Sequence, residues 1–240
     1  MMRLGLVSAK GSPGVTTLAI GAAAVMGAIA VELDPAGGDV ECWVGPVGEP
    51  GLIRVAGALR HMADPNGVLA DHAAEVHPGL RVVLAPTGGE QAASTLMAIG
   101  NRLAPAMRCE DDSVVLDGGR WNRAQPTAGR LAGCDVVAVA LAPTLGGVAH
   151  SRGTINALRD SLGVPVVGVL IGDRGYSPGE VAGELDVPVA GSIAWDQRGA
   201  QALITGGPSR WWRRSAHGRS IRSFVDSLST WVPEEVGAHA

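Results

Sequence analysis

The stretch Ala9-Lys10-Gly11-Ser12-Pro13-Gly14-Val15-Thr16-Thr17 follows an apolar run, Leu4 to Val7, and opens an alanine-rich, helix-forming one. This order of strand, glycine-bearing loop and helix constrains the fold more than any other feature of the chain. A loop of this kind turns its backbone N–H groups inward, and the first turn of the following helix adds its positive dipole end at the same point. Phosphate is the natural guest of such a cradle. The phosphate-binding pattern G-x-x-x-x-G-K-[ST] is met only in part: Gly14 and Thr16 are in place, while Ala9 stands for the first glycine and Val15 for the lysine.

Lys10 is the only lysine in the chain, and every other member of the 19 Lys and Arg residues is arginine. A compact ammonium on a flexible stem reaches a phosphate as a point charge, which a planar guanidinium does not do in the same space. Lys10-Gly11-Ser12-Pro13-Gly14-Val15-Thr16-Thr17 resembles the deviant Walker A motif of the ParA/MinD family of P-loop ATPases, K-G-G-x-G-K-T-[ST]. The resemblance implies a nucleotide cradle from Lys10 to Thr17 for ATP, with Mg2+ held in part by Thr16. It also implies that Lys10 reaches across a nucleotide-sandwich homodimer to the phosphates of the other subunit. Val15 replaces the lysine that would hold the β- and γ-phosphates within the same subunit, so hydrolysis is expected to be very slow or absent.

Two further segments carry the resemblance. Ala28 to Leu33 reads as a second buried strand whose tail, Glu32-Leu33-Asp34-Pro35-Ala36-Gly37-Gly38-Asp39, puts two carboxylates two residues apart, on one face at the carboxyl end of a strand. Open parallel sheets place ligands at that end. Read on its own, Asp34-Pro35 with two glycines is also an ordinary strand-ending turn. The tail is similar to the family's switch I, D-x-D-P-x-G, which implies that Asp34 orients the attacking water and that Glu32 sits near the metal's water shell. Ser113-Val114-Val115-Leu116-Asp117 is an apolar run closed by an aspartate, the form of a Walker B strand that brings a carboxylate beside the loop to hold magnesium through water. The family continues D-x-P-P, whereas this chain continues Gly118-Gly119-Arg120.

Further along, Asp135 to Leu141, Pro165 to Ile171 and Val187 to Ile193 read as strands, and Leu80 to Ala85 as an earlier one. Helices are expected over Thr17–Met26, Pro50–Arg60, about Glu90–Leu103 and His150–Leu162. Six or seven apolar strands alternating with helices, without long linker or internal repeat, predict an α/β chain: a doubly wound, mainly parallel sheet with helices on both faces. The resemblance to P-loop NTPases runs from Met1 to about Arg198 and implies a P-loop domain over residues 1–208. Within it, Gly172-Asp173-Arg174 lies near the family's adenine-contacting asparagine-arginine pair, which makes Asp173 and Arg174 candidate base contacts. A one-residue shift would put Gly172 there instead, and an aspartate could also accept from guanine. Ala194-Trp195-Asp196 resembles the P-x-D turn over the base, without its proline. A dinucleotide-binding G-x-G-x-x-G is absent.

Residues 209–240 hold the concentrated positive charge, Arg210, Arg213, Arg214, Arg219 and Arg222, beside Trp211 and Trp212. Ile221, Phe224, Val225, Leu228, Trp231 and Val232 recur at helical spacing and predict a C-terminal helix. Its stripe could pack on the sheet, with the arginines as a solvated rim, or dock on a membrane or DNA. The net charge of −4 offers no global attraction to either surface. Three widely spaced cysteines, Cys42, Cys109 and Cys134, without C-x-x-C, read as reduced thiols of a cytoplasmic protein, at most peripheral at a membrane. Arg3 ahead of the apolar Leu18–Val31 has the outline of a signal peptide, but the turn residues Gly11 to Gly14 interrupt it. Three functions fit these residues: a nucleotide-dependent dimerising switch that positions a protein partner, a scaffold of the same fold that binds no nucleotide, and a small-molecule ligase resembling dethiobiotin synthetase. The last needs a phosphate-binding lysine where this chain has Val15.

Overall fold

The computed structural model describes residues 1–10, 14–48, 51–62, 64–121 and 127–232. Gly11, Ser12 and Pro13 of the loop, Pro50, and the tail from 233 lie outside them.

The strands are β1 (Arg3–Ser8), β2 (Ile29–Glu32), β3 (Ala74–His77), β4 (Leu80–Val83), β5 (Val114–Arg120), β6 (Val136–Leu141), β7 (Val166–Ile171) and β8 (Val189–Ile193). They form one sheet in the order β3-β4-β2-β5-β1-β6-β7-β8. Every pairing is parallel except that of β3 with β4. The central strands are buried on both faces, and their side chains alternate between two separate apolar cores. In β6, Val137, Val139 and Leu141 enter one core while Val136, Ala138 and Ala140 enter the other. This two-sided burial explains why the strands read as continuous Val/Leu/Ala runs.

The first core is roofed by α3 (Gly51–His61), α4 (Val68–His72), α5 (Gly89–Ile99), α6 (Leu103–Arg108), α8 (Leu145–Ser161) and α9 (Pro178–Leu185). The second is roofed by α1 (Val15–Met26), α10 (Gln197–Gly206), α11 (Arg210–Arg214) and α12 (Ala216–Leu228), with Val40 of α2 (Val40–Val44) at its rim. A further short helix, α7 (Thr127–Leu131), precedes β6. The architecture is therefore the α/β, doubly wound, mainly parallel sheet that the sequence predicts.

Two features differ from the sequence expectation. The short antiparallel strand β3 closes the sheet beyond β4; its sequence, Ala-Glu-Val-His, lacks the apolar run of the other strands because it is an edge strand with one partner. The helix expected over about Glu90–Leu103 breaks at Gly100, where a single 3-10 turn over Gly100–Arg102 joins α5 to α6.

The apolar stripe of α12 packs on the sheet. Ile221, Phe224 and Leu228 are buried in the second core together with Trp212 of α11. Trp212 Nε1 donates to His217 Nδ1 at 3.1 Å, so a fully buried indole N–H has its partner. Arg210, Arg213, Arg214, Arg219 and Arg222 remain exposed, as does Trp211.

Candidate functional site: a groove at the carboxyl edge of the sheet

β1 ends at Ser8 and α1 begins at Val15, with Gly14 as its N-cap in the left-handed conformation at φ 82°. The open first-turn amides of α1 thus point at the carboxyl ends of β1, β2 and β5. A cleft of ≈ 260 Å³ lies there, with Thr16, Thr17, Asp34 and Arg120 among its walls. Gly14 and Thr17 also line a second hollow of ≈ 210 Å³, which reaches Ile171, Trp195 and Asp196. Ile171 and Trp195 in turn line a third, of ≈ 460 Å³, together with Asp173 and Arg174. Shared walls make the three hollows one groove, which runs along the carboxyl edge from Asp34 and Arg120 to Trp195 and Asp173. The structure thus brings Gly14, Val15, Thr16, Thr17 and Asp34 together at one end, and Asp173 and Arg174 at the other.

At the head of the groove Thr16 donates its hydroxyl hydrogen bond to the Asp117 carboxylate, which also accepts from the Gly119 amide at 3.1 Å. Asp117 is fully buried, and desolvation pushes its pKa up to about 7, aided by the nearby Glu32 and Asp34 charges. A hydroxyl and a carboxylate are hard oxygen donors suited to magnesium, which keeps several waters and takes its remaining ligands from substrate phosphates. No cluster of three or more His, Cys, Asp or Glu able to hold a metal alone occurs among the described residues. The donor set therefore fits a metal that arrives with a phosphate ligand.

Asp34, half-buried, accepts from the backbone amides of Ala36, at 2.8 Å, and of Arg120, and desolvation raises its pKa. It rests on Gly119, which has φ 56°; a Cβ there would fall on the Asp34 carboxylate, so the position requires glycine both for its backbone and for its space. Glu32 lies beside Asp117 in register on β2, but both its oxygens are engaged elsewhere. Oε1 accepts from the amides of Asp39, at 2.8 Å, and Val40, at 2.9 Å, while Oε2 accepts from Ala85 at 3.0 Å. The resemblance puts this carboxylate in the metal's water shell. In the structure it also ties the turn after β2 to the end of β4.

Val15, 6% exposed, packs into the second core and lines the cleft with an apolar side chain. Lys10 is exposed, and its Nζ lies 3.4 Å from His150 Nε2 on α8, away from the cleft walls. Asp196, named with the base-covering turn, caps α10 by accepting from Gly199 at 2.9 Å and also accepts from His217 N. Beyond the sequence candidates, Ser8, Asp39, Trp43 and Arg120 line the end of the groove beside Thr16 and Asp34. Arg120 is visible in the sequence only as the place where the Walker B continuation departs from D-x-P-P; the other three carry no local signal.

By sequence, no protein-family model matches the chain and no curated protein matches it. By structure it is similar to a ParA family ATPase from Chlorobium tepidum TLS, with a TM-score of 0.73 and 15% identity over 93% of this chain and 97% of that one. The septum site-determining protein MinD from Pyrococcus horikoshii OT3, solved with Mg-ADP, gives 0.73 and 13% over 95% of each chain. A single-residue variant of Cyanothece McdA, solved as its ATP complex, gives 0.66 and 15% over 99% of each. The fold is that of the ParA/MinD ATPases.

Proposed function

We propose that this chain is a nucleotide-dependent switch of the ParA/MinD kind, which binds ATP with magnesium, dimerises around it and positions a protein partner, while hydrolysing ATP very slowly or not at all. The observation that carries this reading is the pairing of the Thr16 hydroxyl with the buried Asp117 carboxylate at the head of a groove whose loop-borne cation is replaced by Val15. The binding parts are present and one electrostatic part of the transition-state machinery is missing. MinD with Mg-ADP and McdA with ATP have the same fold, which supports a nucleotide as the guest.

In this reading Thr16 and Asp117 hold magnesium, which when bound supplies charge to offset that on the phosphates. The α1 amides from Thr16 onward face the phosphates, and Asp34 orients a water from its position over Gly119. Trp195, 65% exposed beside Asp173 and Arg174, offers a flat apolar surface to the base. Loss of a single preorganised donor costs about a hundred- to a thousandfold in rate, which is the deficit assigned to Val15.

A second reading, a scaffold of the same fold that binds no nucleotide, is favoured by the position of Lys10 against His150 rather than toward the groove. Titration of the purified protein with labelled ATP and magnesium separates the two. Saturable binding with little phosphate release supports the switch, and no binding at millimolar ATP leaves the scaffold. As for membranes, no helix among the described residues is long and apolar enough to cross one. Because the apolar stripe of α12 is spent on the sheet, contact with a membrane or DNA would fall to the exposed arginines and Trp211.

A further inference from the structure

The phosphate end of the groove is poor in positive charge for a site meant to hold a triphosphate. Val15 is apolar, Lys10 is not among the cleft walls, and the acidic residues Asp34 and Asp39 are. Among the described lining residues one is a cation, Arg120. We propose that Arg120 is the cation that holds the terminal phosphates of a nucleoside triphosphate, doing from β5 what the loop lysine does where that lysine is present. The proposal rests on the nucleotide-binding reading above and adds a residue to it.

Strand geometry puts Arg120 there. β5 pairs with β1 so that Asp117 lies opposite Leu6 and Arg120 opposite Ser8, three steps on β5 against two on β1. The register shift is a bulge at Gly118-Gly119, and bulges beside binding sites re-aim side chains. Both bulge residues are small for steric reasons. A Cβ on Gly118 would stand 2.7 Å from Val7 Cγ1, and one on Gly119 would strike Asp34. Past the bulge the chain rejoins β1, where Trp121 N donates to Ser8 O at 2.8 Å. Arg120 is therefore clamped beside the last residue of β1, where the phosphate loop starts, instead of leading away into a connection.

Its chemistry suits the role. The backbone amide of Arg120 donates to Asp34, while its exposed guanidinium has no hydrogen-bond or ion-pair partner among the described residues. A planar guanidinium pairs bidentately with phosphate oxygens, and this one gives up no contact with a described residue on doing so. The two glycines, the bulge and the arginine thus form one device, and they are the residues by which this chain departs from D-x-P-P.

The test is calorimetric titration of magnesium-ATP and magnesium-ADP into the wild type, Arg120→Gln, Arg120→Lys and the double variant Val15→Lys with Arg120→Gln. Loss of a charge-assisted phosphate contact is expected to weaken ATP binding by about tenfold or more in Arg120→Gln, and ADP binding by less. Arg120→Lys should keep most of the affinity, and the double variant should regain part of it. Unfolding of ligand-free Arg120→Gln should match the wild type, since the side chain has no partner to lose among the described residues. Wild-type affinity in Arg120→Gln, or equal weakening of ATP and ADP, would overturn the assignment while leaving the nucleotide reading intact. Failure of the wild type itself to bind either nucleotide would overturn the reading and this proposal with it.

Discussion

Asp117 is wholly buried with Glu32 and Asp34 close by, and desolvation disfavours its charged form. Its folded-state pKa of about 7 lies above the ordinary carboxylate value, so the folded chain takes up a proton there before the unfolded chain does. This contribution favours folding at low pH and is lost as pH rises through about 7. Asp117→Asn, which removes the charge and keeps the shape, should therefore melt higher than the wild type at pH 8 without ligand. That advantage should shrink as pH is lowered toward about 4, near the unfolded carboxylate value. A constant difference at every pH would show that the charge is not what destabilises the site. Val15 is the complementary case, an uncharged residue where charge is needed. Val15→Lys should raise phosphate release by up to about a hundredfold, read as single-turnover release from ATP, and an unchanged rate would mean that the deficit lies elsewhere in the loop. Of these residues Lys10, Thr16, Asp34 and Asp117 stand out in the sequence because each ends or opens a recognisable pattern. The hydrogen bonds of Glu32 do not, since its partners are amides of Asp39, Val40 and Ala85, the last of them 53 residues away.

The C-terminal pair α11 and α12 shows which element-level facts a sequence conveys. The stripe of Ile221, Phe224 and Leu228 is periodic and announces a helix with one apolar face, but periodicity does not say what covers that face. In the structure the cover is the second core, formed by α1, α10 and the sheet. Phe224→Ala should therefore cost about 3–5 kcal/mol in denaturant unfolding, as for a buried core aromatic, whereas a change below about 1 kcal/mol would mean the helix is only loosely docked. His217 adds a pH dependence to the same element. Burial lowers its pKa below the ordinary histidine value, and its Nδ1 must stay unprotonated to accept from Trp212. The stability it supports is complete above about pH 6.5 and is lost as pH falls from there through the lower folded-state value, because the unfolded chain then binds the proton first. His217→Gln should flatten the acid side of the stability curve, and an unchanged slope would remove His217 as its source. The bulge in β5 is equally hidden from the sequence, because an extra residue is defined by the partner strand and not by Gly118-Gly119 alone. Strand β3 is hidden for the opposite reason: an edge strand needs no apolar run.

At the scale of the whole molecule, eight strands and two cores bring residues from positions 8 to 217 into a single groove at one edge of the sheet. The α/β alternation makes that edge legible before any coordinates, since parallel sheets put their ligand sites at the carboxyl ends of the strands. Lys10 stands at this edge, exposed and apart from the cleft walls, on the same side as the exposed Leu145, Tyr176 and Trp195. In the proposed switch, a partner copy docked at this edge would bring each Lys10 to the other's nucleotide. Nucleotide at about a hundred times its dissociation constant should stabilise the fold by about 2.7 kcal/mol, a rise in melting temperature of roughly 5–10 °C for a chain of this size. The most direct test of the account is sedimentation velocity of the wild type and Lys10→Ala, each with and without saturating ATP and magnesium. The account predicts that the wild type shifts from monomer to dimer when ATP is added and that Lys10→Ala stays monomeric. A wild type that sediments as the same monomer with ATP bound, or a Lys10→Ala variant that dimerises equally well, would contradict it.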